Sequence, residues 1–289
     1  VKEFAGKVAV ITGAGSGFGR EFARLGGTLQ MKLVLADIQQ DALDAVEKEL
    51  RENGAQVLAV RTDVAKAADM EALCAATYEK FGAAHVLFNN AGVGAGGFAW
   101  ENSVADWEWV LGVNLWSVIH GIRLFVPKML AQGDECHVVN TASVAGLLSA
   151  QTMAVYNVSK HAVVTLSETL FQDLRVANAK IGVTVLCPAF VPTGIANSER
   201  NRPADLPAGE LTPSQKIAQA ATQKAVSSGR ITAAEVAQMV FDCIRENKFY
   251  CITHPRILGS VELRLQDILA QRNPSDPFSL KPSAAPPIS

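Results

Sequence analysis

Short apolar runs rich in Val, Ile and Leu recur along the chain, separated by stretches in which apolar residues return every three or four positions. The first run, Lys7-Val8-Ala9-Val10-Ile11-Thr12, has no polar alternation, which predicts a strand buried on both faces. Met31–Ala36, Val57–Arg61, His85–Asn89, His137–Ala142, Gly182–Cys187 and Phe249–Thr253 read the same way. Helical periodicity fills the gaps: from Arg20, then over 41–53, 67–81, 106–129, 153–176, 233–246 and 261–272. Strand and helix alternate throughout, so the pattern predicts one doubly wound α/β domain with a parallel sheet over residues 1–273. Residues 195–230 break the rhythm: an irregular stretch rich in Asn, Arg and Pro runs to Pro213, and a mostly polar helix comes after it, to about Val226. An excursion of that length at the carboxyl edge of a sheet is expected to be a substrate lid, with a plain surface loop as the alternative. The tail, 274–289, carries five prolines and is expected to be poorly ordered or draped on a neighbour.

Composition narrows the field. A chain of 289 residues, 49% hydrophobic and 19% charged, can bury a sizeable core. A net charge of −2 with interspersed signs gives no reason to expect nucleic acid or an anionic membrane surface. No uninterrupted apolar run of membrane-spanning length is visible, and Val1-Lys2-Glu3-Phe4 does not begin a signal peptide. The five cysteines lack Cys-x-x-Cys spacing, and no histidine has a second ligand three or four residues away, so neither disulfides nor a metal is expected. A reducing, cytoplasmic setting is the expectation.

Chemistry enters at the strand ends. The first strand runs into Gly13-Ala14-Gly15-Ser16-Gly17-Phe18-Gly19 and then a helix. Glycines let the backbone approach a pyrophosphate, and the helix N-terminus supplies free amides and positive potential. Asp37 ends the second strand about 20 residues past the glycine turn, where a carboxylate can accept both ribose hydroxyls of an adenosine and repel a 2′-phosphate. No Lys or Arg stands at 38–40, so the reading is NAD rather than NADP; capping the next helix is a second role open to Asp37. Asp63 either receives an adenine amino group or caps a helix. Ser143 ends the fifth strand. Tyr156 and Lys160, four apart, share a helix face. A phenol of pKa near ~10 is a poor proton carrier at neutral pH, and an ammonium beside it favours the phenolate. Asn114 is buried by pattern within the 106–129 helix. Trp107 and Trp109 are read as packing or subunit contacts, and Trp116 as core.

Thr12-Gly13-x-x-x-Gly17-x-Gly19, Asp63, Asn89-Asn90-Ala91-Gly92, Asn114, Ser143, Tyr156-x-x-x-Lys160 and Pro188, in this order and spacing, resemble the short-chain dehydrogenase/reductase family over residues 5 to about 195. The resemblance implies a single Rossmann-type domain with a seven-stranded sheet in the order 3-2-1-4-5-6-7. It also implies reversible hydride transfer between a nicotinamide cofactor and a secondary alcohol or ketone. By position, Tyr156 is then the general acid/base, and Lys160 binds the nicotinamide ribose and lowers the tyrosine pKa. Ser143 orients the substrate oxygen, and Asn114 holds a water that links Lys160 to solvent. Gly13, Ser16, Gly17, Phe18, Gly19, Asp37, Ile38, Asp63, Val64, Asn90, Ala91, Gly92, Pro188, Val191 and Thr193 are implied to surround the cofactor.

The family's usual Pro-Gly is Pro188-Ala189 here, and Gly26-Gly27 stands where alanines are usual. The C-terminal segment that builds the family's tetramer is replaced by Thr253-His254-Pro255, a helix and the tail. A homodimer on the 106–129 and 153–176 helices is therefore weighed beside the homotetramer. Val139-Asn140-Thr141-Ala142-Ser143, Asn201-Arg202-Pro203 and Asn247-Lys248-Phe249-Tyr250 are similar to a bacterial branch that includes aryl-ether Cα-dehydrogenases. Ser143, Val144, Leu147, Met153, Tyr156, Phe190, Val191 and Ile195 are the expected substrate lining. It is mostly apolar, and only Arg200 or Arg202 could hold a carboxylate by folding over. A bulky, uncharged, aromatic or otherwise hydrophobic alcohol or ketone is expected. The alternatives are a 3-oxoacyl or steroid ketoreductase and a non-catalytic dinucleotide-binding regulator.

Overall fold

The computed structural model describes residues 1–280; the last part of the proline-rich tail, 281–289, lies outside the described residues. Seven strands form one sheet: β1 (Val8–Thr12), β2 (Lys32–Asp37), β3 (Val57–Arg61), β4 (Val86–Asn89), β5 (Cys136–Thr141), β6 (Ile181–Cys187) and β7 (Tyr250–Ile252). All pairings are parallel, and the order is β3-β2-β1-β4-β5-β6-β7. Every residue of β1 is buried, as its unbroken apolar run requires. Alternate side chains serve opposite faces. Ile11 packs with Phe22, Leu33, Phe88 and Phe241, under α1 (Gly17–Thr28) and α8 (Ala233–Glu246). Val10 packs with Met70, Leu87, Phe125 and Leu170, under α3 (Ala67–Phe81), α5 (Ser117–Gln132) and α6 (Ala154–Val176). The remaining helices are α2 (Gln40–Glu52), α4 (Val104–Leu111), α7 (Pro213–Ser227) and α9 (Leu258–Leu269).

Gly26 is explained by packing. A Cβ there would stand 3.0 Å from Leu33 Cδ2, so any side chain at that position would have to push the Leu33 methyl aside for α1 to lie this close to β2. Ala189 is not among the residues with positive φ, so the departure from Pro-Gly carries no left-handed strain.

The helix expected over 106–129 is interrupted. Between α4 and α5 lies a π-helical turn, Gly112–Trp116, with Asn114 at its centre. The extra residue of a π-turn rotates the residues after it by about 100° relative to a plain α-helix. The reading of Trp116 as core is corrected: it closes this turn on the solvent side, 51% exposed, its ring tilted against His120 at 5.7 Å. Trp109 is buried against Val93, Val110 and Val155. The combined stretch Val104–Gln132, 29 residues, has the length and mean hydropathy of a membrane-crossing helix although polar residues interrupt it, and half of its apolar window is buried inside this fold.

The 195–230 excursion is a 3₁₀ segment, Gly194–Asn201, an extended link, and α7, whose start is fixed by reciprocal bonds between Thr212 and Gln215. In the tail, the Ser275 amide donates to Asp267 Oδ2 at 2.9 Å, which ties its first residues to α9.

Candidate active site

The carboxyl ends of β1 and β4 part company where the sheet order reverses, and a cleft opens there. Thr12 and Asn90 hold its floor. The amides of Asn90 and Ala91 donate to Thr12 Oγ1 at 2.9 and 3.1 Å, and Asn90 Nδ2 donates to the Thr12 carbonyl at 2.9 Å. Gly13 has φ +67°, and a Cβ on it would stand 2.9 Å from Ala91 Cα. Gly19 is closed off from the cleft beneath this turn, where a Cβ would collide with the Gly13 carbonyl. Ser16, the residue before α1, makes no capping bond, and the first turn of α1 has no acidic residue. Those amides, with the Ser16 hydroxyl, suit an anion.

Asp37 faces the turn from the end of β2. Its Oδ2 accepts from the Gly15 amide at 2.8 Å and its Oδ1 from the Gln39 amide at 3.0 Å. The residue before α2 is Gln39, so Asp37 braces the glycine turn and does not cap that helix. Ile38, Asp63 and Val64 complete this end. Asp63 also accepts from the Ala65 amide at 3.1 Å, so a local turn role coexists with a place on the cleft.

At the other end stand Ser143, Tyr156 and Lys160. Ser143 Oγ accepts from the Ala145 amide at 3.1 Å and donates to the Pro188 carbonyl at 3.3 Å. Lys160 is buried. Its Nζ donates to the Thr141 carbonyl at 2.9 Å and lies 5.7 Å from the Tyr156 ring centre. Burial pulls the lysine down to about 8, with Cys187 opposing weakly. Burial likewise pushes the Tyr156 phenol up, while a hydrogen bond with Ser143 pulls it down. In the free protein burial is the larger of the two influences on the Tyr156 phenol.

Asn114 sits one layer behind. Its Oδ1 accepts from the Val93 amide at 2.8 Å, and its Nδ2 donates to the Val93 carbonyl at 3.0 Å and to Ser159 Oγ at 3.1 Å. Asn114 Oδ1 and Lys160 Nζ flank one point, 3.5 and 3.6 Å from where a Gly92 Cβ would stand.

Gly92, Pro188, Val191, Thr193 and Ile195 also border the cleft. Four residues expected around substrate do not. Val144 is buried beneath the segment after β5, Phe190 is 44% exposed outside the cleft, and Met153 faces a neighbouring cavity that shares Ile195 and Ser198 with the first. Leu147 packs into the core beside α6. Conversely, Trp109 and Val113 from the α4 side and Asn201, Pro203 and Leu206 from the 195–230 excursion border the cleft, which sequence spacing did not indicate. The Asn201-Arg202-Pro203 run was visible only as a likeness.

The short chain dehydrogenase family model matches residues 7–204. The chain belongs to that family. A crystal structure of a short-chain dehydrogenase/reductase from Burkholderia phymatum in complex with NAD is 57% identical, covers 97% of this chain and 100% of its own, and superposes with a TM-score of 0.95. A CLA biosynthesis dehydrogenase/reductase from Lactiplantibacillus plantarum is 34% identical over 95% of this chain and 97% of its own length. A C alpha-dehydrogenase from Sphingobium sp. SYK-6 is 31% identical over 96% and 90%. This short-chain dehydrogenase accordingly belongs to a family of oxidoreductases.

Proposed function

We propose that the protein moves a hydride between NAD(H) and a bulky, uncharged secondary alcohol or its ketone, with Tyr156 as the general acid/base. One observation carries this reading: Tyr156, Lys160 and Ser143 line the same continuous cleft as the glycine turn and Asp37. The residues suit the cofactor, since the turn leaves room against the backbone and Asp37 offers a carboxylate beside it. When bound between the glycine turn and the Ser143, Tyr156 and Lys160 end of the cleft, the dinucleotide would supply the hydride acceptor for oxidation and the hydride donor for reduction.

The chain's own groups do the rest. Tyr156 Oη takes the proton of the alcohol hydroxyl during oxidation and returns it during reduction. Ser143 Oγ donates to the same substrate oxygen and fixes its position. Lys160, which keeps most of its charge at neutral pH, stabilises the phenolate as it forms. We assign the proton's way onward to the space between Lys160 Nζ and Asn114 Oδ1. Asp37 favours NAD, because a 2′-phosphate would meet a carboxylate with no cation at 38–40 to offset it.

Among the described residues bordering the cleft, the Lys and Arg side chains are Lys160 and Arg200. Arg200 Nη1 is turned back onto the Gly194 and Asn197 carbonyls at 2.9 and 2.7 Å. Val191, Ile195 and Leu206 give apolar wall. Both features favour an uncharged, hydrophobic substrate over a carboxylate. A turnover panel with NAD+ and secondary alcohols graded by size, aromaticity and charge tests the reading. Bulky neutral alcohols are expected to turn over and their carboxylated analogues to be poor; activity confined to carboxylates or acyl thioesters would contradict it.

A further inference from the structure

The lid bears on the cleft through Ile195, Ser198, Asn201, Pro203 and Leu206. Something must hold this stretch in place, since the 3₁₀ segment is short and its internal bonds are local. Two pins reach the body of the fold. Near its start, the Gly94 amide donates to Ser198 Oγ at 2.9 Å. At its end stands Arg202, whose side chain is only 6% exposed.

Arg202 uses its whole guanidinium. Nη2 donates to Asp106 Oδ1 at 2.6 Å, Nε to the Leu206 carbonyl at 2.7 Å, and the plane lies 4.8 Å from the centre of the Trp109 ring. Glu199 approaches Nη1 at 3.4 Å from the lid itself. Asp106 is 11% exposed and is itself fixed: its Oδ2 accepts from the Ser103 amide and hydroxyl, both at 2.9 Å, in the bonds that start α4. Gln215 of α7 reaches the same oxygen at 3.4 Å. One carboxylate thus gathers α4, the end of the lid and α7. The partner surface, Trp109, borders the cleft. The Arg202 fork therefore joins the lid to an α4 residue that lines the ligand space, and a Lys ammonium could not make all these contacts at once.

We propose that Arg202 is a positioning residue that seats the 194–206 segment on α4 through Asp106 and Trp109, and so sets how long the dinucleotide stays in the cleft. This rests on reading the cleft as the dinucleotide site. With the pin removed, the seated lid is a smaller fraction of the ensemble, and apparent affinity falls by that fraction.

The test compares wild type, Arg202→Met, Arg202→Lys and the double variant Asp106→Asn/Arg202→Met. NADH binding and release are read by fluorescence, steady-state turnover gives KM against kcat, and Tm is measured alongside. Arg202→Met alone leaves a buried carboxylate unpaired and is expected to lower Tm. The double variant removes both charges, so its Tm is expected to recover while its NADH Kd stays raised, roughly tenfold, through faster release. KM for the cofactor is expected to follow Kd with kcat held or raised, and Arg202→Lys is expected to regain part of the affinity. A double variant that folds and binds NADH as wild type does would overturn the proposal and leave the pair a stability feature only. Wild-type protein that binds no NADH would overturn the cofactor reading and the clamp with it.

Discussion

Lys160 carries its charge where water does not reach, and that has a thermodynamic signature. Its folded pKa of about 8 lies below the ordinary lysine value of 10.5. Between those two pH values the unfolded chain binds a proton that the folded one does not, so this group's contribution to stability rises with pH. Below about 8 the full cost of the buried ammonium is present, at ~1.4 kcal/mol per unit of depression. Lys160→Met removes that cost, and the stability difference between variant and wild type is expected to shift toward wild type from pH 7 to pH 10. Denaturant titrations at several pH values check this; a difference that does not change with pH contradicts it. Asp37 makes the second prediction at this scale. Wild type is expected to favour NADH over NADPH by on the order of a hundredfold in kcat/KM, as repulsion between like charges costs several kcal/mol. Asp37→Ser is expected to narrow that gap, with equal values in wild type as the contrary result.

The π-turn between α4 and α5 shows what an element can hide from its sequence. Gly112–Trp116 reads as ordinary helix, and nothing in its composition marks the extra residue. Trp116, expected in the core, ends this turn half exposed. Asn114 fared differently. It looked merely buried and polar, and the structure gives its amide three partners at Val93 and Ser159. Asn114→Ala leaves the buried Val93 groups unpaired, which costs about 1–3 kcal/mol. A lower Tm together with lower kcat is the expected outcome, by calorimetry and steady-state kinetics; unchanged values of both would contradict it. The strands were legible because sandwiched strands have no polar alternation to confuse. The glycine turn was legible because close backbone approach tolerates few other residues. The Arg202–Asp106 pair was not, since its members lie 96 residues apart. The directions of Val144, Met153 and Phe190 depend on how the segments after β5 and β6 turn, which periodicity does not encode.

At the scale of the molecule, the parallel order β3-β2-β1-β4-β5-β6-β7 brings the ends of β1, β4, β5 and β6 to one cleft, and residues from Gly13 to Leu206 meet there. Helices α5 and α6 and the turn before them keep large apolar groups exposed, Trp116 at 51% and Val158 at 49%. Self-association through that face is expected: light scattering should give a dimer or a larger closed assembly, and Trp116→Glu with Val158→Glu should shift it toward monomer. A wild-type monomer would contradict that expectation.

The central claim is that Tyr156 handles the proton in a cleft that binds the dinucleotide independently of it. Tyr156→Phe removes one hydroxyl and leaves the ring. Turnover and NADH affinity should be measured on the same preparation: turnover is expected to fall about a thousandfold or more while the NADH Kd stays within a few-fold of wild type. A Phe variant that still turns over near the wild-type rate would contradict the account.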